Sequence, residues 1–196
     1  MDEFMNVARS ELILGGQKSG KSRRAELLAR SWLDRSAAHR AVLIATAQPW
    51  DEEMRERIAR HQQDRAERVP GMRTVEEPVQ LAEVLARCSQ PQTLVVVDCL
   101  TLWLTNLLMP AENYEQKKLL AHDPRAQIAM VLGAIENTQG PVVLVGNEIG
   151  LGVIPLGRET RAFVDALGLL NQSVAQVCER ATLMAAGLPL TLKGRP

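Results

Sequence analysis

The chain contains 196 residues, of which 46% are apolar and 23% charged, with 23 basic side chains balancing 23 acidic ones. Such a composition is typical of a globular protein, and the length suits one domain over residues 1–196 with a single substantial core. A formal net charge of zero argues against binding nucleic acid or an anionic membrane through overall charge. We therefore expect no nucleic-acid partner, although a local basic site remains open.

The cysteines and the apolar runs indicate where in the cell the protein is located. Cys88, Cys99 and Cys178 are far apart and form no CxxC pair, which is typical of a reduced intracellular protein rather than of a disulfide framework or a zinc site. Residues 1–10 include two acids and no apolar core, so they do not resemble a secretory signal. No apolar run reaches the roughly 18 residues of a membrane span. We expect a cytoplasmic protein without stable membrane insertion.

The apolar pattern predicts alternating strands and helices. In chain order these are a strand at 11–14, a helix at 21–34, a strand at 41–45, a helix at 51–67 with Asp51 as N-cap, a strand at 72–75, a helix at 78–87, a strand at 93–97, a Leu-rich segment at 100–109, a helix at 127–136, a strand at 141–145 and a helix at 158–180. Residues 111–123 are predicted to form a polar mobile loop, 146–157 a glycine-rich loop, and 181–196 a strand with a hairpin. Short apolar strands between helices indicate βαβ units and a mainly parallel sheet with helices on both faces.

A glycine-rich motif follows the first predicted strand. It fits the pattern GxxxxGK[ST] and consists of Gly15, Gly16, Gln17, Lys18, Ser19, Gly20, Lys21 and Ser22. The glycines let the backbone curl so that its N–H groups face phosphate oxygens, and the following helix adds its positive dipole end. We predict that Lys21 reaches the β- and γ-phosphates and that the Ser22 hydroxyl binds Mg²⁺. The alternative is a glycine-rich turn with a coincidental Lys-Ser pair.

Asp98 follows the most apolar predicted strand. In a P-loop fold, a carboxylate at the end of such a strand holds the Mg²⁺ of the nucleotide. The alternative is an N-cap for the helix that begins near Leu100. Together with the phosphate loop, this pattern predicts an α/β fold of the P-loop NTPase type, RecA-like in its mainly parallel sheet. No NKxD sequence is present, so the residues alone do not identify the base.

Several separated segments match one family in order. Beyond the phosphate loop these are Ala45-Thr46, DEEM at 51–54, RIARH at 57–61, DCLT at 98–101, TNLL at 105–108 and NEIGLGVIP at 147–155, followed by Arg158, Phe163, Asp165, Gly168, Asn171 and Gln172. This set resembles the bifunctional adenosylcobinamide kinase/adenosylcobinamide-phosphate guanylyltransferase family of cobalamin biosynthesis. The RIxxH and NEIGxGxxP segments carry most of the specificity. One departure lies at 65–74, where the family usually has Arg-Pro and Trp and this chain has a longer segment with Met72.

The resemblance implies two reactions. ATP or GTP phosphorylates adenosylcobinamide, and GMP from GTP is then attached to adenosylcobinamide phosphate through a guanylylated histidine, which His61 matches. It also implies a homo-oligomer, for which a trimer is one form. The competing interpretations are a P-loop kinase for another small alcohol, without a covalent histidine, and a nucleotide switch or motor subunit.

His61 has two interpretations from the residues alone. Met54, Ile58 and His61 share one helix face, and a histidine on an apolar face is usually a packed core residue. A neutral imidazole also has a nitrogen lone pair near pH 7 and can form a phosphoramidate by attacking phosphorus.

Four further candidates follow predicted strands. Glu76 matches a Thr-x-Glu element of the family and is predicted to contact the ribose of the nucleotide, the alternative being an N-cap before Pro78. Asn147 and Glu148 follow the fifth strand, where ligands of such folds gather. Glu148 is a candidate base or second metal partner, with a solvated loop acid as the alternative. Thr46 is a candidate because it lies in a matched segment.

Overall fold

The computed structural model describes residues 5–49, 51–109 and 123–195, without the side chain of Arg57. One seven-stranded sheet runs through these residues in the order β3-β2-β4-β5-β1-β6-β7. All neighbouring strands are parallel except β6 and β7, which form an antiparallel hairpin. The predicted α/β class, mainly parallel sheet and C-terminal hairpin are confirmed. The polar segment predicted at 111–123 lies, apart from Asp123, outside the described residues.

The elements alternate along the chain as the pattern predicts. The strands are β1 (Ser10–Gly15), β2 (Arg40–Ala45), β3 (Arg73–Glu76), β4 (Thr93–Asp98), β5 (Val142–Val145), β6 (Arg180–Ala185) and β7 (Leu188–Lys193). The helices are α1 (Lys21–Asp34), α2 (Glu52–Arg68), α3 (Leu81–Cys88), α4 (Leu100–Leu108), α5 (Pro124–Glu136) and α6 (Arg158–Val177). None of the helices in the described ranges is long and apolar enough to cross a membrane.

Both faces of the sheet are buried, because the side chains of each strand alternate between two apolar clusters. On β1, Ile13 packs with Leu28 and other residues of α1, whereas Leu12 and Leu14 pack on the opposite face. That second cluster takes residues from α3, α4, α5 and α6. The Leu-rich helix α4 belongs to it, with Trp103 at 0% exposure. Helices therefore cover both faces, as predicted.

Three helix boundaries differ from the sequence prediction by three residues. Helix α5 begins at Pro124 rather than at 127, because the Asp123 carboxylate caps it by accepting a hydrogen bond from the Arg125 N–H. Helix α3 begins at Leu81 rather than at 78, because the Glu77 carboxylate accepts hydrogen bonds from the backbone N–H groups of Val79 and Gln80 and forms a turn there. Helix α6 ends at Val177 rather than at 180, because Arg180 pairs into the sheet as the first residue of β6.

A buried ionic cluster joins α1 to the sheet. The Glu11 carboxylate on β1 is fully buried. It accepts hydrogen bonds from Arg24 of α1 at 3.1 Å, and from Arg180 at 3.2 Å and Thr182 at 2.8 Å, both on β6. Since α1 begins at the end of the phosphate loop, this cluster fixes the helix that carries the loop.

Replacing Glu11 with alanine removes the anion and leaves the buried guanidinium of Arg180 without its carboxylate. We expect Glu11→Ala to lower the free energy of unfolding by about 3 kcal/mol or more, measured by urea denaturation. Asp34→Ala, which breaks the exposed Arg30–Asp34 pair of α1, is the control and should cost less than about 1 kcal/mol. Equal losses in the two variants would contradict a structural role for the cluster.

Candidate nucleotide site

The carboxyl ends of the parallel strands form the edge at which the predicted site residues meet. The strand register places Glu76 beside Ala45, Ala45 beside Asp98, Asp98 beside Val145, and Val145 beside Ile13. Neighbouring strands lie about 4.8 Å apart, so Asp98 lies about 10 Å from Glu76 on one side and from the end of β1 on the other. Predicted residues that are far apart in sequence therefore share one edge of the sheet.

The phosphate loop leaves β1 and curls into α1. Gly20 is the N-cap of α1 in the left-handed conformation with φ 101°, and no side chain caps the first-turn N–H groups. The first turn also contains no acid. Lys21 is buried and its ammonium donates to the Gly16 carbonyl, so the positive charge lies within the curl of the loop. Uncapped N–H groups, the helix dipole and Lys21 together make an anion-binding concavity.

The loop packs closely against the C-terminal hairpin. Gly15 has φ 152°, and a Cβ there would lie 2.5 Å from the Met184 carbonyl oxygen and 2.6 Å from the Ser19 hydroxyl. On the far side of the loop, the Gly187 N–H in the hairpin turn donates to the Ser19 carbonyl at 3.0 Å. The shape of the loop therefore depends on β6 and β7 as well as on its own glycines.

The segment that leaves β5 is bound to the same loop. The Glu148 N–H donates to the Gly15 carbonyl at 3.1 Å. The Asn147 peptide is held from both sides, because its N–H donates to the Thr101 hydroxyl and its carbonyl accepts from the Asn171 amide. Asn147 and Glu148 are half-buried, and the Glu148 carboxylate accepts from the Gly150 N–H at 2.7 Å. Glu148 is thus a half-buried acid whose backbone is bound to the phosphate loop.

Asp98 is half-buried at the end of β4. The N-cap of α4 is Cys99, without a side-chain capping bond, so the capping alternative for Asp98 is wrong. Burial and, to a smaller extent, the Asp98 carboxylate raise the pKa of the Cys99 thiol to about 12, against the opposing effects of hydrogen bonds from the Leu102 and Thr101 backbone and of the Lys21 ammonium. The Cys99 thiol therefore lies within the electrostatic influence of both Asp98 and Lys21. The thiol itself is neutral near pH 7.

Thr46 is fully buried between β2 and β4. Its hydroxyl donates to the Cys99 carbonyl at 2.7 Å and accepts from the Cys99 N–H at 2.8 Å. The Thr46 carbonyl in turn accepts from the Asn106 amide. Thr46 therefore holds the backbone that follows Asp98, and any effect it has on a nucleotide acts through that backbone.

His61 lies on α2 and is exposed, whereas Met54 and Ile58 on the same helix face are half-buried. The packed-core interpretation of His61 is therefore wrong. The next residue, Gln62, approaches the Glu76 carboxylate at 3.5 Å, the outer limit of a hydrogen bond. His61 thus lies in α2 directly before a residue that approaches the carboxyl end of β3. The other described histidine, His39, stacks on Trp32 at 3.8 Å.

Contacts in the segment 65–77 define what Arg68 does and which glutamate precedes α3. The Arg68 guanidinium binds the buried carboxylate of Glu26 on α1 at 2.9 Å, and Asp64 on its own helix. This pairing raises the pKa of Arg68, which therefore anchors the C-terminal end of α2. Glu77, not Glu76, makes the turn before α3, so the capping alternative for Glu76 is wrong as well.

Ser22 and Asp98 offer the ligands that Mg²⁺ prefers. A hydroxyl in the first turn after Lys21 and a half-buried carboxylate at the end of β4 are hard oxygen donors. These two residues fit a cation that is also bound by nucleotide phosphates.

Sequence reasoning gave no role to the residues that support the site. Thr101 and Asn106 lie in the apolar helix α4, yet both are buried and hydrogen-bonded to loop backbone. Asn171 does the same from α6. The sequence did contain a signal for these supporting roles, because a polar residue within an otherwise apolar helix must find a hydrogen-bond partner when it is buried.

The fold and site define a P-loop nucleotide-binding protein of the α/β class. A family model described as cobinamide kinase / cobinamide phosphate guanyltransferase matches residues 11–192. The chain is 44% identical over 189 residues to the bifunctional adenosylcobalamin biosynthesis protein CobP of Pseudomonas aeruginosa, covering 95% of this chain and 98% of that protein. It is 34% identical to the bifunctional adenosylcobalamin biosynthesis protein CobU of Escherichia coli, covering 93% and 98%. The chain therefore belongs to the cobinamide kinase/cobinamide phosphate guanyltransferase family, and the predicted bifunctional transferase of cobalamin biosynthesis is confirmed.

The chain also aligns with solved structures, among them a flagellar accessory protein. The flagellar accessory protein FlaH of Methanocaldococcus jannaschii aligns with a TM-score of 0.49 and 12% identity, over 96% of this chain and 80% of that one.

The close approach of Met184 to Gly15 predicts that a side chain at residue 15 lowers stability. Gly15→Ala should lower the free energy of unfolding by about 2 kcal/mol or more, because the methyl group meets backbone at a φ that L-residues rarely adopt. Gly16→Ala is the matched control, since a Cβ at Gly16 meets nothing within 4 Å, and should change stability by less than about 0.5 kcal/mol. Urea denaturation of both variants measures the difference. Equal stability of the two would contradict the packing described for the loop.

Proposed function

We propose that this chain phosphorylates the aminopropanol hydroxyl of adenosylcobinamide with ATP or GTP, and then transfers GMP from GTP to the new phosphate through a guanylylated His61. The observation that carries the covalent step is the exposure of His61 on α2, where the neighbouring Gln62 approaches Glu76 at the carboxyl end of β3. Family membership supports the pair of reactions. An assay of purified protein with adenosylcobinamide and GTP, resolving the phosphate and GDP products, tests the proposal.

In the kinase step, the loop N–H groups and Lys21 hold the β- and γ-phosphates. Ser22 and Asp98 would hold Mg²⁺, which would neutralise charge on the phosphates. The substrate hydroxyl forms a bond to the γ-phosphorus while the bond to the β-phosphate oxygen breaks, and the nucleoside diphosphate leaves. Glu148, fixed beside Gly15, is the candidate acceptor for the hydroxyl proton, and Asn147 is a candidate contact to the phosphates.

In the guanylyl step, the neutral His61 imidazole attacks the α-phosphorus of GTP. A P–N bond forms, the bond to the β-phosphate oxygen breaks, and pyrophosphate leaves. An oxygen of adenosylcobinamide phosphate then attacks the same phosphorus and releases His61. Glu76, near the α2 side chain Gln62, is the candidate contact to the ribose hydroxyls.

The kinase step reacts at the γ-phosphorus and the guanylyl step at the α-phosphorus. Movement of α2 is a way to keep the two reactions separate. Among the α2 side chains that the structure describes, none is buried. The helix is held at its C-terminal end, by the Arg68–Glu26 ion pair and by the buried Val69 that follows it. A helix anchored at one end can bring His61 to the α-phosphate in the second reaction and leave it outside the first.

The proposal extends to assembly and location. We propose one catalytic domain, a cytoplasmic protein and a homo-oligomer, with a trimer as one expected form. The last strand, β7, is at the edge of the sheet and exposes Leu188, Leu190 and Leu192, each more than half exposed. Edge strands with an apolar face are usually covered, and a second copy of the chain would cover this one. Light scattering of the purified protein measures the assembly.

Asp98→Asn tests the metal role, since it removes a charge and keeps the shape. We expect turnover in the kinase step to fall about a hundredfold or more. The free energy of unfolding should change by about 1 kcal/mol or less, with partial rescue by raised Mg²⁺. Normal turnover with a lowered melting temperature would show that Asp98 acts on stability alone.

His61→Ala tests the separation of the two reactions. The variant should lose guanylyl transfer and covalent labelling by GTP, while most kinase activity with ATP remains. His61→Asn should behave alike, because an amide is no nucleophile here. The measurement is a pair of product assays on one preparation, with the fold checked by circular dichroism. Normal formation of the GDP product by either variant would remove His61 from the mechanism, and equal loss of both activities would make it structural.

A further inference from the structure

An open groove lies between the loop that follows β5 and helix α6. It has a volume of about 560 Å³ and is lined by Ile149, Gly150 and residues 152–155 of the loop, and by one face of α6 that includes Arg161, Asp165, Gly168 and Gln172. No aromatic side chain lines it. We refer to it as the β5–α6 groove.

The groove begins at the phosphate site. Glu148 donates from its backbone to Gly15 of the phosphate loop, and the next residue, Ile149, lines the groove. At the other end of the loop, the Arg161 guanidinium donates to the carbonyls of Pro155 and Leu156. Both ends of the loop are therefore fixed by hydrogen bonds, one of them to the loop predicted to bind the transferred phosphate.

The loop between these anchors presents apolar side chains to solvent. Leu151 is 81% exposed, Val153 97%, Ile154 75% and Leu156 97%. Of these side chains, Val153 and Ile154 line the groove, and exposed apolar side chains on a fixed loop are a feature of binding sites. The polar ends of Asp165 and Gln172 lie in the same groove and can accept and donate hydrogen bonds.

We infer that the β5–α6 groove binds the corrinoid macrocycle of the acceptor, an inference that rests on the proposed function. The acceptor hydroxyl must come within about 3.5 Å of the γ-phosphorus, so the rest of the molecule extends from the phosphate site over neighbouring surface. The macrocycle has a broad apolar body with amide arms at its edge. The groove matches it with apolar side chains on the loop and hydrogen-bonding groups on α6, and its open form takes one edge of a large molecule.

Gly168 provides a substitution that fills the groove without disturbing the fold. It lies within α6, and a Cβ there meets nothing within 4 Å. Gly168→Leu therefore places a bulky side chain in the groove and removes a helix-weakening glycine. Gly168→Ala is the matched control, because it gives the same helix benefit with little bulk. Val153→Asp changes the apolar loop at a side chain that is 97% exposed, and Met130→Asp makes the same kind of change outside the groove, at a side chain of α5 that is 56% exposed.

Equilibrium dialysis of adenosylcobinamide against each variant, followed through the visible absorbance of the corrinoid, tests the inference without turnover. Gly168→Leu and Val153→Asp should weaken corrinoid binding about tenfold or more, with GTP affinity unchanged. Gly168→Ala and Met130→Asp should bind within about twofold of wild type. Unchanged corrinoid binding in the first two variants would overturn the inference, as would wild-type protein that does not bind the corrinoid.

Light scattering and product assays on the same preparations separate the alternatives. If corrinoid binding falls only together with dissociation of an oligomer, the groove is a contact between copies of the chain and the inference fails. If wild-type protein binds the corrinoid in the groove but forms neither product, the proposed function fails and the inference stands.

Discussion

The site depends on how closely β1 and β6 approach where β1 becomes the phosphate loop. The Met184 carbonyl and the Ser19 hydroxyl occupy the space that a side chain at Gly15 would fill. The loop can curl there because glycine adopts φ values closed to other residues. Around that point the loop is bound by Glu148 from β5 and by Gly187 from the hairpin turn. Three separate parts of the chain therefore impose one loop shape, and the N–H groups of α1 face outward from it before any nucleotide arrives. Preorganisation of this kind is what lets fixed dipoles stabilise a transferring phosphoryl group.

The two reactions proposed for the chain make opposite demands on structure. Phosphoryl transfer benefits from the rigid loop, which the buried Glu11 cluster and the β5 exit hold in place. Guanylyl transfer needs a nucleophile that can reach a different phosphorus. The polar helix α2, with its exposed His61 and its anchor at Arg68, lies outside the packed layers that hold the loop. A rigid loop for phosphoryl transfer and a lightly anchored helix for guanylyl transfer can therefore share one nucleotide-binding domain.

Much of this arrangement could be predicted from sequence because its signals are local. The apolar runs predicted the strands, and the glycine-lysine pattern predicted the phosphate loop at residues 15–22. The helix ends at Leu81 and Val177 were predicted wrongly, because the Glu77 turn and the β6 pairing of Arg180 depend on tertiary contacts. The roles of Thr101, Asn106 and Asn171 were missed for the same reason, since each holds backbone that is distant in sequence. The exposure of His61 also required the structure, because its apolar neighbours Met54 and Ile58 favoured a buried face. The catalytic roles assigned to residues of this edge remain predictions.

The central claim is that one chain carries a phosphate loop for the kinase step and a separate nucleophile on α2 for the guanylyl step. The most direct test is to incubate the protein with GTP labelled at the α-phosphorus, digest it under alkaline conditions, and identify the labelled peptide by mass spectrometry. The account predicts an acid-labile, alkali-stable label on the α2 peptide that contains His61. A label on a peptide of the phosphate loop, at Lys18 or Lys21, would contradict it, as would a protein that forms the GDP product without becoming labelled.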